Sequence, residues 1–434
     1  FLLNILLDLG ITNFNNKNIA QNNHLLSKHF ASIVMLRLLL AVIFTIVTLI
    51  GGLVIGYTPD MMKMLFAVIF NQILLSFIMY LRSNLAGLHL FKTDSLISVL
   101  DRVIMIVICG FLLVTYSESG NFQIQWFVYA QTAAYVLTAA ITLALVIDKA
   151  KVRRFNWRWP FFLMILKKSY PYAVLVLLMT FYNRIDSVML ERMLPFRVGA
   201  HEAGIYASAY RLLDASNMIA FLFAGLLLPI FSKMIKLRES VEEIVRLSIS
   251  LLVIPALIVS ICCYFYSYEL MDLLYSGDHI EESSAVFRIL MACFIPISAT
   301  YIFGTLLTAN GNLRQLNIMA SIGMLINIIL NLILIPKFSS VGAAFSSITT
   351  QIFTAAAQVY MVQRAFQFKV NGPFILRTII FILSCIILNF YISQLNIYWM
   401  YQFIISASVC FILAFSLRLI HIKNLYRIVR FDEV

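Results

Sequence analysis

The stretch at residues 170–191 reads YPYAVLVLLMTFYNRIDSVMLE. It is apolar and long enough to cross a bilayer core, which takes about 20 residues in a helix. It nevertheless contains the charged residues Arg184 and Asp186. A charge at bilayer depth costs about 2.5–3.5 kcal/mol on insertion scales, so it normally faces a partner or a water-filled cavity. The stretch therefore predicts a membrane helix that borders a polar interior.

Similar apolar runs recur along all 434 residues of the chain. The chain is 62% hydrophobic and 12% charged, with a mean hydropathy of +0.92. Because backbone groups in lipid must be satisfied within their own segment, we expect these runs to be helices of an all-α polytopic membrane protein. The predicted spans are 32–56, 61–81, 95–116, 124–147, 170–191, 203–231, 244–268, 284–308, 315–336, 341–364, 374–393 and 398–418, with a further apolar stub from Phe1 to Thr12.

The positive charges are unevenly distributed between alternate loops. Of the 32 Lys and Arg residues, 23 fall in one alternating set of polar stretches and only 4 in the other. The positive-inside rule places the richer set, and with it the C-terminus, in the cytoplasm. Topology thus accounts for the net charge of +12, and we expect no nucleic-acid partner.

The longest polar stretch, 148–169, is strongly basic and divides the chain into two halves. We interpret it as a cytoplasmic connector that contacts anionic lipid headgroups. Motifs around Gly87 and Gln131 in the first half resemble those around Gly311 and Gln351 in the second, at offsets of 224 and 220 residues. This weak repeat predicts two bundles of the same orientation. The predicted domains are an incomplete N-terminal bundle (1–147), the connector (148–169), a second bundle (170–364), and two extra spans with a basic cytoplasmic tail (365–434).

The repeat also predicts that the first bundle begins before Phe1. The second half begins near Tyr170, whose counterpart at that offset would lie before Phe1. The chain also starts within a span and without Met. We therefore expect one whole helix and part of a second to precede Phe1.

Arg184 and Arg211 are the strongest candidate binding residues. They lie in consecutive antiparallel spans, and we expect them at similar depth. A structural salt bridge is the alternative, because Asp214 lies three residues after Arg211 and Asp186 could reach Arg211 across the two helices. Asp186 could instead bind a coupling cation.

Two further arginines, Arg37 and Arg102, lie near the predicted cytoplasmic ends of their spans. The favoured interpretation is that both side chains extend to the lipid headgroups, and the alternative is an entry site for an anionic substrate. Asp101, beside Arg102, is expected either to pair with an arginine or to couple an ion. Asp8 is expected to be a structural cap, with a gate residue as the alternative.

The six cysteines lie in predicted spans and are interpreted as small buried hydrophobes, not as disulfides or metal ligands. No CxxC or HExxH pattern is present, and we expect neither a metal site nor a cofactor.

Four motifs carry a resemblance to a known family. They are DLGITNFNNKNIA at 8–20, YNRIDSVML at 182–190, AGIYASAYR at 203–211 and IPKFSSVGAA at 335–344. In this order they resemble the second-helix exit, the seventh helix, the start of the eighth and the turn between the eleventh and twelfth helices of bacterial polysaccharide flippases. These flippases belong to the multidrug/oligosaccharidyl-lipid/polysaccharide exporter superfamily. The last motif has serines where the family often has a glycine soon after the aromatic residue.

The resemblance implies two pseudo-symmetric six-helix bundles around a central cavity, followed by two extra helices. It further implies alternating-access transfer of an undecaprenyl-diphosphate-linked oligosaccharide across the bacterial inner membrane, for cell-surface polysaccharides such as lipopolysaccharide O-antigen. The diphosphate would contact Arg184 and Arg211, with Arg37 and Arg102 as entry residues, because guanidinium groups bind phosphate bidentately. Asp186, Asp214 and Asp101 would couple a cation or pair with these arginines. The implied partners are the lipid-linked oligosaccharide, membrane lipids, a monovalent cation, and polysaccharide polymerase or assembly proteins.

Two other functions remain open from the sequence. A cation-coupled multidrug exporter of the same superfamily would need a cavity dominated by acidic residues, whereas arginines are at least as prominent here. A membrane enzyme such as a sugar polymerase would need a catalytic group in a large outer loop. We find no nucleophile–base constellation in the sequence, so we expect no enzymatic activity.

Overall fold

The fold is built from helices alone in the part of the chain that the computed structural model describes, which is residues 2–116, 124–150, 159–275, 279–368 and 371–420. A 3-10 turn (Leu2–Asn4) comes first and a π-helical turn (Ile249–Val253) joins α9 to α10. The α-helices are α1 (Ile5–Asp8), α2 (Ile11–Gln21), α3 (Leu25–Ile55), α4 (Pro59–Gly87), α5 (Phe91–Tyr116), α6 (Ile124–Ala150), α7 (Trp159–Met193), α8 (Phe196–Leu237), α9 (Glu242–Ser248), α10 (Ile254–Phe265), α11 (Ser267–Leu274), α12 (Ile280–Ala292), α13 (Phe294–Asn310), α14 (Leu313–Phe366), α15 (Gly372–Ser393) and α16 (Trp399–Ser416).

Eleven helical segments in the described ranges are long and apolar enough to cross a membrane. The helices α3 to α8 each contain one predicted span, as do α15 and α16. The segments α9–α10 and α12–α13 each form one more. The predicted all-α polytopic membrane fold is thereby confirmed.

The longest helix, α14, holds two predicted spans. Its 54 residues would extend about 81 Å if straight, more than twice the bilayer core of about 30 Å. The helix is broken at Ser339, where φ is 48° and ψ is −129°. Pro336 lacks an N–H just before the break, and a Cβ on Gly342 just after it would lie 2.4 Å from the carbonyl oxygen of Leu334. The predicted spans 315–336 and 341–364 are therefore separate arms of one broken helix.

The helices form two compact units. The first contains Phe1–Leu177 and Leu228–Leu237. Its core packs α2, α3 and α4 together, and Ile11, Leu36 and Tyr80 are fully buried there. The start of α2 lies close to α7 at Gly10, which has φ +75°. A Cβ added at this position would lie only 2.5 Å from the carbonyl oxygen of Ser169.

The second unit contains Leu178–Leu227 and Arg238–Val434. Its main apolar cluster joins α10 to the last two helices through Phe381, Cys385 and Cys410, all with no exposed surface. The cysteines are free, and all except Cys109 are buried, as their interpretation as apolar residues requires.

Part of the predicted connector and nearly all of the basic tail lie outside the described residues, at 151–158 and 421–434. Both described ends of the connector are helical, because α6 continues to Ala150 and α7 begins at Trp159 rather than near Tyr170.

Candidate functional site

A buried aspartate forms the centre of a polar cluster in the second unit. Asp186, on α7, has no exposed surface. Its Oδ1 accepts hydrogen bonds from the Nδ2 groups of Asn327 at 3.0 Å and Asn331 at 2.6 Å. Its Oδ2 accepts from the Tyr206 hydroxyl at 2.8 Å and from the Ser347 hydroxyl. An ionised carboxylate offers about four acceptor positions, so these four neutral donors occupy all of them.

Two helices supply these donors, α8 and both arms of the broken α14. Asn327 and Asn331 lie four residues apart and therefore share one face of the first arm of α14. Their amides also contact each other, with Nδ2 of Asn331 donating to Oδ1 of Asn327 at 3.1 Å. The Oδ1 of Asn331 is buried and has no hydrogen-bond partner among the described residues. An oxygen ligand thus remains unused beside the carboxylate.

The break in α14 brings the second arm to the same carboxylate. Ser347 lies eight residues after Ser339, and Glu202 on α8 accepts a hydrogen bond of 3.1 Å from the backbone N–H of Ser340. A carboxylate at the start of a helical arm satisfies an otherwise unpaired N–H group. The break and its acidic partner therefore fix where the second arm starts and where Ser347 points.

A second, more accessible group lies beside the buried one. The Nη2 of Arg184 lies 2.8 Å from Oδ2 of Asp214, and the two side chains are 49% and 39% exposed. The guanidinium carbon of Arg184 lies 5.0 Å from the ring centroid of Tyr210. Tyr210 in turn stacks on Tyr206, with 5.6 Å between the ring centroids. The exposed arginine is thus connected to the Asp186 cluster through two tyrosines.

Arg211 is exposed, and its guanidinium has no ion pair or hydrogen bond among the described residues. The two pairings considered from sequence for this arginine are wrong. Asp214 contacts Arg184 on the neighbouring helix rather than Arg211 one turn away, and Asp186 is surrounded by neutral donors. The cause is the rotation of α7 against α8, which the sequence spacing does not define.

Arg37, in the first unit, does not extend to the headgroups, so the favoured sequence interpretation of its side chain is wrong. The residue is only 5% exposed and forms an ion pair with Asp8. Its guanidinium also donates to the hydroxyl of Thr12 at 2.6 Å and to the carbonyl of Ser76 at 2.8 Å, and it lies 4.7 Å from the Tyr80 ring centroid. These acceptors replace the water that the Arg37 guanidinium loses on burial, and so offset its desolvation.

Asp8 is a structural cap, as expected. Its carboxylate accepts a hydrogen bond of 3.1 Å from the backbone N–H of Thr12, in the first turn of α2. Arg102 is half exposed, and its Nε lies 3.5 Å from the carboxylate of the adjacent Asp101. Such a pair leaves the guanidinium of Arg102 largely accessible.

The donors around Asp186 were missed by the sequence reasoning. One signal was available, because two asparagines spaced by four residues in an apolar helix predict a shared polar face. Tyr206 and Ser347 carry no such signal, since hydroxyl side chains are common in membrane helices. Their convergence depends on the break in α14 and on the packing of three helices.

The family is shown by a match over more than half of the chain. Residues 1–235 match the model of the polysaccharide biosynthesis protein family. The chain belongs to this family. Among curated protein sequences, none is detectably similar to it.

Several solved structures share the fold at low sequence identity. A multidrug resistance MATE-family transporter of the MOP superfamily, in an outward-facing conformation, superposes with a TM-score of 0.69 at 14% identity, over 84% of each chain. The lipid II flippase MurJ, in an inward closed conformation, has a TM-score of 0.58 at 14% identity, over 98% of this chain and 92% of its own. A MOP-superfamily transporter from Pyrococcus furiosus, described as having a binding pocket of reverse polarity, has a TM-score of 0.67 at 13% identity, over 84% of each chain.

Proposed function

We propose that the protein transfers an undecaprenyl-diphosphate-linked oligosaccharide across the bacterial inner membrane. Family membership supports a role in polysaccharide biosynthesis, and the fold is similar to that of a lipid II flippase over nearly the whole chain. The observation that carries the proposal is the pair of accessible arginines, Arg184 and Arg211, on two membrane helices. A guanidinium exposed to lipid would cost about 2.5–3.5 kcal/mol, so both groups are best explained by a polar pathway that receives an anion.

The diphosphate would bind at Arg184 and Arg211. Arginine remains protonated and forms two parallel hydrogen bonds to a phosphate. Asp214 holds Arg184 in place when the substrate is absent, and an exposed ion pair of this kind is worth only about 0–1 kcal/mol. A phosphate can therefore displace Asp214 from Arg184 at little cost. Arg37 is not included in the site, because its guanidinium is buried and occupied, whereas the half-exposed Arg102 remains a candidate entry residue.

The buried Asp186 would bind the coupling cation. Ionisable residues inside membrane proteins commonly mark ion or proton pathways. Here the carboxylate lies beside two asparagine amides and two hydroxyl groups, whose oxygens are suited to a hard cation such as Na⁺. The unused Oδ1 of Asn331 is one such ligand. Exchange of a cation for the present donors would require the amides and hydroxyls to rotate.

A multidrug exporter is the second candidate, because a MATE transporter superposes with a higher TM-score than MurJ, 0.69 against 0.58, although over a smaller share of the chain, 84% against 98%. Transport in proteoliposomes separates the two functions. We expect purified full-length protein to accelerate leaflet exchange of a fluorescent undecaprenyl-diphosphate oligosaccharide over protein-free vesicles, without gradient-driven ethidium efflux. Ethidium efflux without lipid exchange would replace the proposal with the exporter.

The topology proposed with this function has a cytoplasmic C-terminus. Polymerase and assembly proteins for the same polysaccharide would act on the transferred product at the outer face. Protease accessibility of a C-terminal epitope in sealed inside-out vesicles tests the orientation, since only a cytoplasmic terminus is cleaved there.

A further inference from the structure

Two histidines and a glutamate converge at one end of the second unit, away from the groups described above. His201 lies near the start of α8, His279 immediately precedes α12, and Glu282 lies in the first turn of α12. One ligand atom from each side chain lies within 4.8 Å of the other two. Nε2 of His201 lies 3.9 Å, and Nδ1 of His279 lies 3.6 Å, from Oε2 of Glu282.

These distances are close to those of a tetrahedral metal site. For metal–ligand bonds of about 2.0–2.1 Å, two ligand atoms of a tetrahedron are about 3.3–3.5 Å apart. Closing the measured gaps to Glu282 therefore needs movements of a few tenths of an ångström. The three side chains are exposed, at 42%, 54% and 58%, so they can adjust and a water molecule can take a fourth position.

The backbone supports this convergence from both helices. His279 and Glu282 are three residues apart, and the carbonyl of His279 accepts a hydrogen bond of 3.1 Å from the N–H of Ser283. This spacing places both side chains on one side of the helix start. Tyr275, just before, donates from its hydroxyl to the carbonyl of Ser208 on α8 at 3.4 Å. The site is thus attached to two elements of the same unit.

We propose that His201, His279 and Glu282 bind one divalent transition-metal ion of the Zn²⁺ class. Two imidazoles and one carboxylate are ligands that Zn²⁺ prefers, whereas Mg²⁺ prefers oxygen ligands alone. The ion would join the start of α8 to the start of α12, on the side of the membrane opposite to the basic stretches. It would be a site separate from both the arginines and Asp186.

The test uses the full-length protein in detergent, with any histidine affinity tag removed. Zn²⁺ binding is measured by competition with a fluorescent chelator, for wild type and for His201→Ala, His279→Ala and Glu282→Gln variants. His24→Ala is the matched control, because His24 is an exposed histidine of the first unit. Mg²⁺ in excess tests selectivity, and the visible absorption of bound Co²⁺ reports the coordination geometry.

We expect about one Zn²⁺ per wild-type chain, with affinity at least roughly tenfold lower in each ligand variant and unchanged in His24→Ala. Bound Co²⁺ should give the intense absorption of a tetrahedral ion in wild type and in His24→Ala, but not in the three ligand variants. Zn²⁺ should also raise the melting temperature of wild type but not of His201→Ala, since binding to the folded state stabilises it. Equal affinity in wild type and the His201→Ala, His279→Ala double variant would overturn the proposal. So would displacement of Zn²⁺ by Mg²⁺.

Discussion

The Nδ2 of Asn331 lies 2.6 Å from Oδ1 of Asp186, and this hydrogen bond joins the first arm of α14 to α7 at a fully buried carboxylate. The other three donors to Asp186 come from α8 and from both arms of α14. A carboxylate bonded to neutral amides and hydroxyls from several helical segments can change its partners when a cation binds. Such a change would link ion binding to the positions of these helices.

Asp186→Asn tests this link. The amide has the same shape but presents an NH₂ group to at least one of the surrounding donors, and it carries no charge to bind a cation. We expect the variant to fold with reduced thermal stability and to lose any stimulation of lipid transfer by a Na⁺ or proton gradient, each gradient being applied separately. Asp272→Asn, at an exposed position of α11, is the control and should retain the stimulation. Gradient-stimulated transfer by Asp186→Asn at the wild-type level would show that the carboxylate is only structural.

Asp214→Asn should strengthen substrate binding. The carboxylate of Asp214 competes with a phosphate for Arg184, and removal of an exposed ion pair releases about 0–1 kcal/mol, which corresponds to at most about a fivefold lower Kd. Fluorescence titration with undecaprenyl diphosphate in detergent measures this, again with Asp272→Asn as the control. Weaker binding by Asp214→Asn would mean that the aspartate orients Arg184 for the phosphate instead of competing with it.

Arg37→Ala should strongly destabilise the first unit. The substitution leaves the carboxylate of Asp8 without its cationic partner, and a hydrogen bond to a charged group is worth about 1.5–3 kcal/mol. The Asp8 side chain is 29% exposed, so the cost should stay below the roughly 3–5 kcal/mol of a fully buried pair. The exposed pair of Lys63 and Asp60 gives the control, because Lys63→Ala should change stability by less than about 1 kcal/mol. Unfolding in detergent, followed by circular dichroism, measures both. An Arg37→Ala protein as stable as Lys63→Ala would contradict the structural role given to this pair.

Gly342→Ala should disturb the break in α14. The new Cβ would lie 2.4 Å from the carbonyl oxygen of Leu334, and such overpacking typically costs about 1–3 kcal/mol. Gly225→Ala is the matched control, because no atom lies within 4 Å of its added Cβ and alanine favours a helix. Melting temperatures and yields of folded protein compare the two variants. Equal behaviour would show that the two arms can separate without loss of stability.

The helical spans could be predicted from the sequence because apolar length alone defines a membrane helix. The break in α14 was also anticipated, since a turn was expected within 335–344 and Ser339 lies there. The pairing of the charges could not be predicted. Asp214 is three residues from Arg211 in the sequence, yet it contacts Arg184 on another helix, because contacts between helices depend on their rotation and offset.

The sequence also could not predict which charged side chains are buried. Arg37 lies near the predicted end of a span, where most arginines extend to the headgroups, but Asp8 and Ser76 provide acceptors inside the first unit. Likewise, the donors to Asp186 come from positions up to 161 residues away in the chain. Local patterns indicate which charges require an explanation, and only the packed helices show their partners.

The most direct test of the proposed function compares transfer of a fluorescent undecaprenyl-diphosphate oligosaccharide by wild type and by the Arg184→Ala, Arg211→Ala double variant in proteoliposomes. Arg192→Ala, Arg197→Ala is the matched control, because it removes two exposed arginines from the same two helices. We expect transfer to be lost in the first variant and retained in the second, with both folded. Wild-type transfer by the Arg184→Ala, Arg211→Ala protein would contradict a phosphate site at these two arginines.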